Sequence, residues 1–203
     1  GYYYFRPEFT TFRADTLQKS GYVSLQVVPQ TGIPDEAQKQ YYIGQTSIYL
    51  TGYNGEAPTD TLRLRNMVIH YSGDKPGIRP GVIRRNLFFQ KGELYNQAKQ
   101  TYSQEAIARM GIFKYAEFRY EPKDTLSTCD SLNVNIHAMF DLPYDGELEL
   151  NVTTKSTDQT GPGASFSLTR KNFLRMGADL SWQVKGSYEW QTNSTVDGDN
   201  TVM

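Results

Sequence analysis

Hydrophobic side chains recur every three or four residues between residues 78 and 112, which is the spacing of amphipathic helices. A first helix is predicted to begin at Pro80, where the missing N–H of proline costs nothing, and to end at Gly92, which tolerates a left-handed cap. Asn96 is predicted to cap a second helix, which Gly111 ends. The apolar stripe predicted for this second helix consists of Ala98, Tyr102, Ala106, Ile107 and Met110.

The period shortens to two after Gly111, which is typical of strands with one buried face. Ala116, Phe118 and Tyr120 alternate with charged residues and predict one strand. A second strand follows after a loop, and its apolar positions are Leu132, Val134, Ile136, Ala138 and Phe140. Upstream of the helices, residues 41–53 predict a further strand. The predicted order of elements is strand–helix–helix–strand–strand.

This order resembles a POTRA domain, the periplasmic module of the outer-membrane assembly proteins of the BamA/TamA type. Four segments carry the resemblance: Tyr42-Ile43-Gly44, Arg79-Pro80-Gly81-Val82, Lys91-Gly92-Glu93-Leu94-Tyr95 and Met110-Gly111-Ile112-Phe113. Within them we interpret six positions as structural: Gly44, Pro80, Gly92, Tyr95, Gly111 and Phe113. The sequence departs from the family pattern in an insertion at residues 54–75, where residues 62–71 are expected to pair with the first strand as an extra hairpin.

The N-terminal residues predict a separate antiparallel hairpin. Residues 2–16 and 22–28 form its two strands, with Pro7 at an edge position or a bulge. Two strands alone are marginally stable in water. We therefore interpret residues 1–29 as the last hairpin of a preceding POTRA-like domain, whose apolar face lacks the helices that would cover it.

The C-terminal residues alternate apolar and polar side chains over strands of about ten residues, as transmembrane β-barrels do. The predicted strands are separated by turns at residues 156–163 and 172–177, and the last strand runs over residues 178–190. Periodicity alone fits a soluble sheet equally well, but the position after a POTRA-like unit favours a barrel whose remaining strands lie outside this sequence. The predicted fold class is therefore α+β, with a half-POTRA hairpin (1–29), a linker (30–40), a POTRA-like β-α-α-β-β unit (41–142) and the first strands of a truncated barrel (143–203).

Charge and composition narrow the possible partners. The 203 residues carry a net charge of −1, which gives no electrostatic case for nucleic acid. Residues 78–123 contain nine Lys or Arg against four Glu, and thus a local net charge of +5. A solvated helix surface explains this excess best, and contact with anionic lipid headgroups or an acidic partner is the functional alternative. The single cysteine, Cys129, excludes an internal disulfide.

The sequence offers no arrangement of residues that is typical of a catalytic or cofactor site. The two histidines, His70 and His137, are not spaced as metal ligands, and residues 197–200 lack the ligand spacing of a calcium loop. No phosphate-binding glycine motif occurs. We therefore expect a protein that is not an enzyme and that has no cofactor or metal.

An exposed strand edge is the functional feature that we predict instead. Residues 113–120 are expected to form the free edge of the sheet, where a client polypeptide adds as a further strand. The residues predicted to meet the client are Phe113, Tyr115, Glu117 and Arg119.

The resemblance implies the location and the partners. Residues 1–142 would lie in the periplasm and the barrel in the bacterial outer membrane. The partners would be unfolded outer-membrane proteins, membrane lipid, and periplasmic chaperones or accessory lipoproteins. Two alternatives remain open, which are a two-partner secretion pore of the same superfamily and a soluble surface β-module that binds glycan.

Overall fold

The computed structural model describes residues 1–15, 23–124, 129–154 and 159–191, and the chain divides into two compact units, Gly1–Asp141 and Leu142–Met203. The elements of the first unit are β1 Thr10–Asp15, β2 Ser24–Pro29, β3 Tyr42–Thr51, β4 Asp60–Arg63, β5 Met67–Tyr71, α1 Pro80–Asn86, α2 Gln97–Arg109, β6 Phe113–Pro122 and β7 Ser131–Phe140. Those of the second unit are β8 Tyr144–Thr154, β9 Gln159–Phe173, β10 Ala178–Ser187 and β11 Trp190–Gln191. Turns of 3-10 helix lie at Pro7–Phe9 and Asp35–Gln38.

The first unit is built on a five-stranded mixed sheet in the order β4-β5-β3-β7-β6. The central strand β3 runs parallel to both β5 and β7, and the other neighbours are antiparallel. Apart from β4 and β5, which lie between β3 and α1, the elements occur in the order that the sequence pattern predicts: β3, α1, α2, β6 and β7. The extra hairpin is also confirmed, because β4 and β5 pair with each other and β5 pairs with β3.

The hydrophobic core lies on the side of the sheet that the helices cover. Its strand residues include Ile48, Leu50, Ile69, Leu132, Val134 and Ile136, each at most 2% exposed. Val82 and Ile83 of α1 and Ile107 of α2 complete the core. Burial of these side chains on one face of each element is the main stabilising contribution to the fold.

The helices differ from their prediction in two respects. The first helix ends at Asn86 and not at Gly92. The chain leaves the helix there because Phe89, which is 7% exposed, enters the core. The predicted apolar stripe of the second helix is correct at Ile107, which is buried, but wrong at Tyr102, which is 59% exposed, and it omits the buried Ser103.

The N-terminal strand prediction is also wrong over its first half, because residues 2–6 form no strand and β1 begins only at Thr10. Tyr3 packs against Tyr95 and Tyr120, at ring-centroid distances of 5.1 and 5.3 Å. Tyr3 thus packs against the core of the first unit, and residues 2–6 take no part in a strand ladder.

The apolar face of the β1–β2 hairpin is exposed, as the sequence predicts. Phe12 pairs with Val27, and these side chains are 71% and 60% exposed. The connection between the two predicted strands, residues 17–21, lies outside the described residues.

The second unit is an antiparallel sheet in which β9 lies between β8 and β10. The predicted turn over residues 156–163 is wrong from Gln159 onward, because β9 already begins there. The predicted last strand is interrupted, since β10 ends at Ser187 and the short β11 pairs separately with the start of β9. Gly161 permits this interruption, because a Cβ at that position would lie 1.7 Å from the Tyr188 carbonyl oxygen.

Candidate functional site: the open edge of the first sheet

Strand β6 is the outer strand of the five-stranded sheet. Among the described residues it pairs only with β7, so its second side carries no ladder. It is ten residues long, whereas the strand at the opposite edge, β4, has four residues. Helix α2 packs against β6 on the core side. A strand that added to this edge would therefore have a long template beside a helix.

The register of β6 on β7 shows which backbone groups face the open side. The register is continuous from Tyr115 to Pro122, and just beyond it the Lys123 N–H donates to the Ser131 carbonyl oxygen at 2.8 Å. Bonded and non-bonded pairs alternate in an antiparallel ladder. The main chain of Glu117, Arg119 and Glu121 consequently bonds to β7. The main-chain N–H and C=O groups that point outward are those of Ala116, Phe118 and Tyr120.

Pro122 fits this assignment. It occupies the next outward position, where an N–H would face solvent and not β7. Proline at this place costs the sheet no internal hydrogen bond. It also ends the row of outward donors, so a strand that added to the edge would find its N–H partners only upstream of Pro122.

The four residues that were predicted to meet a client have different surroundings in the structure. Tyr115, Glu117 and Arg119 are exposed beside the edge, but the main chain of Glu117 and Arg119 bonds to β7. Phe113 is half-buried against Phe140, with ring centroids 5.1 Å apart. Between Phe113 and Tyr115 the register shifts, which places a bulge at the start of the edge.

The sequence prediction named side chains and missed the outward backbone of Ala116, Phe118 and Tyr120. The side chains of these residues are half-buried or buried on the core side. A search for exposed residues therefore passes over them. The signal that could have identified them is Pro122, since its position fixes which alternate residues face outward.

The charges beside the edge neutralise each other locally. Arg119 donates two hydrogen bonds to the Glu117 carboxylate, from Nε at 2.9 Å and from Nη2 at 2.8 Å. This contact holds the pKa of Glu117 below its ordinary value, and His137 on the facing strand adds to the effect. Both charged side chains are more than half exposed, so the pair contributes little to stability.

The solvent face of the sheet carries both histidines. His70 and His137 stack on the two faces of Tyr49, with ring-centroid distances of 4.5 and 4.7 Å. Within the described part of the chain, no group of three His, Cys, Asp or Glu residues is placed to hold a metal ion. Residues 197–200, whose sequence lacks the ligand spacing of a calcium loop, lie outside the described residues.

The six motif positions are distributed around the frame that holds β6. A Cβ at Gly44 would lie 2.6 Å from Asn133 Oδ1, so the approach of β3 to β7 requires glycine there. Gly92 and Gly111 lie in turns at φ of 86° and 65°, and Pro80 is the first residue of α1. Phe113 begins β6. The sixth position, Tyr95, packs against Tyr3 and Tyr120, and we call these three residues the aromatic core.

Two of the three tyrosines in that aromatic core are buried. The Tyr95 hydroxyl donates to Gln100 Oε1 at 2.7 Å, and burial raises the pKa of Tyr95 to about 12. The Tyr120 hydroxyl is buried without a hydrogen-bond partner among the described residues, and burial raises its pKa further. A buried hydroxyl without a partner is unfavourable. Tyr120 is thus a local weakness within the edge strand.

The sheet of the second unit has one apolar and one polar face. Across its three strands, Leu148, Phe166 and Val184 are neighbours on the apolar face. On the polar face the corresponding row is Glu149, Ser165 and Lys185, in which the Ser165 hydroxyl donates to the Glu149 carboxylate at 3.1 Å. All three apolar side chains are more than 40% exposed, so the apolar face lacks a covering layer among the described residues of this unit.

No helix in the described part of the chain combines the length and the hydrophobicity that a membrane span needs. No protein-family model matches the sequence, and no curated protein sequence matches it either.

Three solved structures resemble the chain at low identity. BamA from Haemophilus ducreyi lacking POTRA domains 1–3 is 14% identical, with a TM-score of 0.48 over 89% of this chain and 27% of that chain. CdiB from Acinetobacter baumannii is 10% identical, with a TM-score of 0.49 over 88% of this chain and 26% of that chain. The N-terminal domain of Omp85 from the thermophilic cyanobacterium Thermosynechococcus elongatus is 16% identical, with a TM-score of 0.37 over 66% and 43%.

This chain spans about a quarter of the length of the first two structures and less than half of the third. All three TM-scores lie below 0.5, so we base the functional proposal on the geometry of the two sheets.

Proposed function

We propose that this protein is a non-enzymatic factor for assembly of outer-membrane proteins, and that it receives unfolded β-barrel clients by strand addition to β6. The observation that carries the proposal is the open edge of the first sheet, where alternate main-chain groups of a ten-residue strand lack a partner strand among the described residues. Backbone pairing tolerates many client sequences, which suits a protein that handles many different barrels.

The strength of such pairing follows from the number of outward groups. Ala116, Phe118 and Tyr120 each offer one donor and one acceptor to an added strand. At about 0.5–1.5 kcal/mol for each net hydrogen bond, the complete set contributes roughly 3–9 kcal/mol before the cost of ordering the client. Binding of this kind is moderate and reversible, as a protein that passes its clients onward requires.

The second unit supports the proposed location. A sheet with one apolar and one polar face, built from strands of about ten residues or more, has the pattern of an outer-membrane barrel wall. We therefore place residues 143–203 in the outer membrane and residues 1–142 in the periplasm. The proposed partners are unfolded outer-membrane proteins and outer-membrane lipid, with periplasmic chaperones or accessory lipoproteins as further candidates.

Site-specific photo-crosslinking tests the proposed edge. A photoreactive phenylalanine derivative replaces Tyr115 beside β6 or, as a matched control, Tyr102 on α2. These tyrosines are 50% and 59% exposed, so both positions tolerate a large side chain. We expect crosslinks to unfolded barrel polypeptides from position 115 and only background from position 102. Equal crosslinking at both positions would contradict strand addition at β6.

Depletion of the full-length protein in cells separates assembly from the alternatives. A general assembly factor predicts a broad loss of unrelated β-barrel proteins from the outer membrane. Loss of one secreted protein, with the barrels intact, would instead identify a two-partner secretion pore. If neither class of protein changes, a glycan-binding surface module becomes the better explanation.

A further inference from the structure

A cleft opens on the first unit between α1, the turn that joins β4 to β5, and the loop that joins α1 to α2. Its inner part has a volume of about 360 Å³ and its outer part about 840 Å³, which is the size range of small-molecule sites. The two parts share the lining residues Asn66, Met67, Arg84, Arg85, Gln90 and Lys91. They therefore form one continuous site, which we call the basic cleft.

Positive charge dominates the basic cleft. Arg65, Arg84, Arg85 and Lys91 line it, and the described residues contribute no acidic side chain to the lining. None of these four cations forms an ion pair with a described residue. Arg85 donates from Nε to the Gly81 carbonyl oxygen at 3.3 Å, which leaves its terminal nitrogens available. Part of the positive excess of residues 78–123 is thus gathered around one concave site.

Thr46 contributes a polar group to the inner part of the basic cleft. This residue of β3 is only 4% exposed, yet it lines the inner part of the basic cleft. Its hydroxyl makes no hydrogen bond to any described residue. Among the described residues only the Tyr120 hydroxyl is fully enclosed without a partner, so the Thr46 hydroxyl is accessible from the inner part of the cleft, beside the buried apolar side chains of Met67 and Phe89. It can therefore donate a hydrogen bond to an oxygen atom of a ligand bound there.

We propose that the basic cleft binds a phosphate group, with the guanidinium groups of Arg84 and Arg85 as its main ligands and the Thr46 hydroxyl as a further donor. The forked donors of arginine match the oxygens of phosphate. Four cations without acidic neighbours suit a group that carries more than one negative charge, whereas a carboxylate carries one. The phosphate can belong to a soluble anion or to a lipid headgroup that ends in a phosphate, such as phosphatidic acid, and both present the same oxygens to the site.

Calorimetric titration of the full chain with sodium pyrophosphate at constant ionic strength tests the site. We expect saturable binding, and an increase of about tenfold or more in the dissociation constant for the double variant Arg84→Gln/Arg85→Gln. The matched control, Arg13→Gln/Arg109→Gln, removes two exposed charges outside the cleft and should leave the dissociation constant unchanged. Thr46→Val keeps the side-chain shape and should weaken binding several-fold without lowering the melting temperature.

Vesicles identify the source of the phosphate. The same variants are compared for binding to phosphatidylcholine vesicles with and without phosphatidic acid. Cleft-dependent binding to the acidic vesicles would support a lipid headgroup, and cleft-dependent binding to pyrophosphate alone would support a soluble phosphate.

Three results would overturn the proposal. The first is an equal loss of binding in both double variants, which would show nonspecific attraction to charge. The second is the absence of binding to pyrophosphate and to acidic vesicles. The third is cleft-dependent binding to polyglutamate alone, which would show that the cleft accepts an acidic polypeptide.

Discussion

Replacement of Ala116 by proline tests the backbone geometry of the open edge. The N–H of Ala116 points away from β7, so proline at this position removes an outward donor and places its ring on the open side of β6. No hydrogen bond within the sheet is lost. Proline at Glu117, one residue along the chain, removes instead an N–H that bonds to His137 on β7. The two variants thus carry the same substitution on opposite sides of the strand.

The expected magnitudes follow from the number of bonds removed. Ala116→Pro takes one or two bonds from an added strand, so client binding should weaken by about 1–3 kcal/mol, or about 5- to 150-fold. The free energy of unfolding should change by less than about 1 kcal/mol, because only an outward N–H is lost. Glu117→Pro should lower it by about 3 kcal/mol, since it breaks a ladder bond and leaves a carbonyl oxygen unpaired.

The assay combines urea denaturation with binding of a fluorescent peptide copied from an unfolded barrel strand. Fluorescence anisotropy gives the dissociation constant, and the denaturation midpoint gives the stability of the same preparation. Two results would refute the reasoning. One is wild-type affinity in Ala116→Pro, which would show that the peptide binds elsewhere. The other is equal destabilisation by the two proline variants, which would show that the assigned alternation of bonds on β6 is incorrect.

Three further predictions concern the core that supports the edge. Tyr120→Phe should raise the free energy of unfolding by about 1 kcal/mol in urea denaturation, because it removes a buried hydroxyl that lacks a partner among the described residues. Ser103→Ala should lower that free energy by about 1–2 kcal/mol, because the Phe88 N–H loses the Ser103 hydroxyl, its acceptor at 2.9 Å. Raising the pH from about 9 to 12 should destabilise the protein, because Tyr95 has a pKa of about 12 when folded and about 10 when unfolded. The stability that Tyr95 contributes is complete below about pH 10 and falls as the pH approaches 12, and a comparison with Tyr95→Phe isolates its share.

The inner strands of the five-stranded sheet were predictable because one face of each is buried. Leu132, Val134 and Ile136 alternate with polar residues, and the structure buries them as the pattern indicates. The extra hairpin was predicted over residues 62–71, where β5 contains the apolar run Met67–Ile69. Periodicity suffices where the sheet itself imposes a period of two.

The helices were predicted less well because small polar residues are invisible to an apolar pattern. Ser103 is fully buried since its hydroxyl donates to the Lys99 carbonyl oxygen and accepts the Phe88 N–H, which brings the end of α1 close to α2. Tyr102 beside it is exposed. The predicted stripe was therefore wrong at Tyr102, although Ile107, which it also contained, is buried. Only the tertiary contact between α1 and α2 decides this choice.

The two candidate sites were likewise predictable only in part from the sequence. The edge strand followed from sequence order, but its outward residues required the register on β7. The basic cleft could not be predicted, because Thr46, Asn66 and Arg84 come from three separate elements that meet only in the folded unit. The sequence pattern gave the total charge of residues 78–123 without indicating where the charge is concentrated.

The side chains around β6 explain how an open edge can be both protected and usable. Glu117 and Arg119 cover one face with a charged pair, which discourages indiscriminate pairing with other strands. The pair is exposed and contributes little to stability, so a strand that forms several backbone bonds displaces it at little cost. Phe118 and Tyr120 hold the outward backbone in place from the opposite face, because their side chains are anchored in the core. Protection therefore comes from exposed side chains and the binding surface from an anchored backbone, which is the combination that sequence-tolerant strand addition requires.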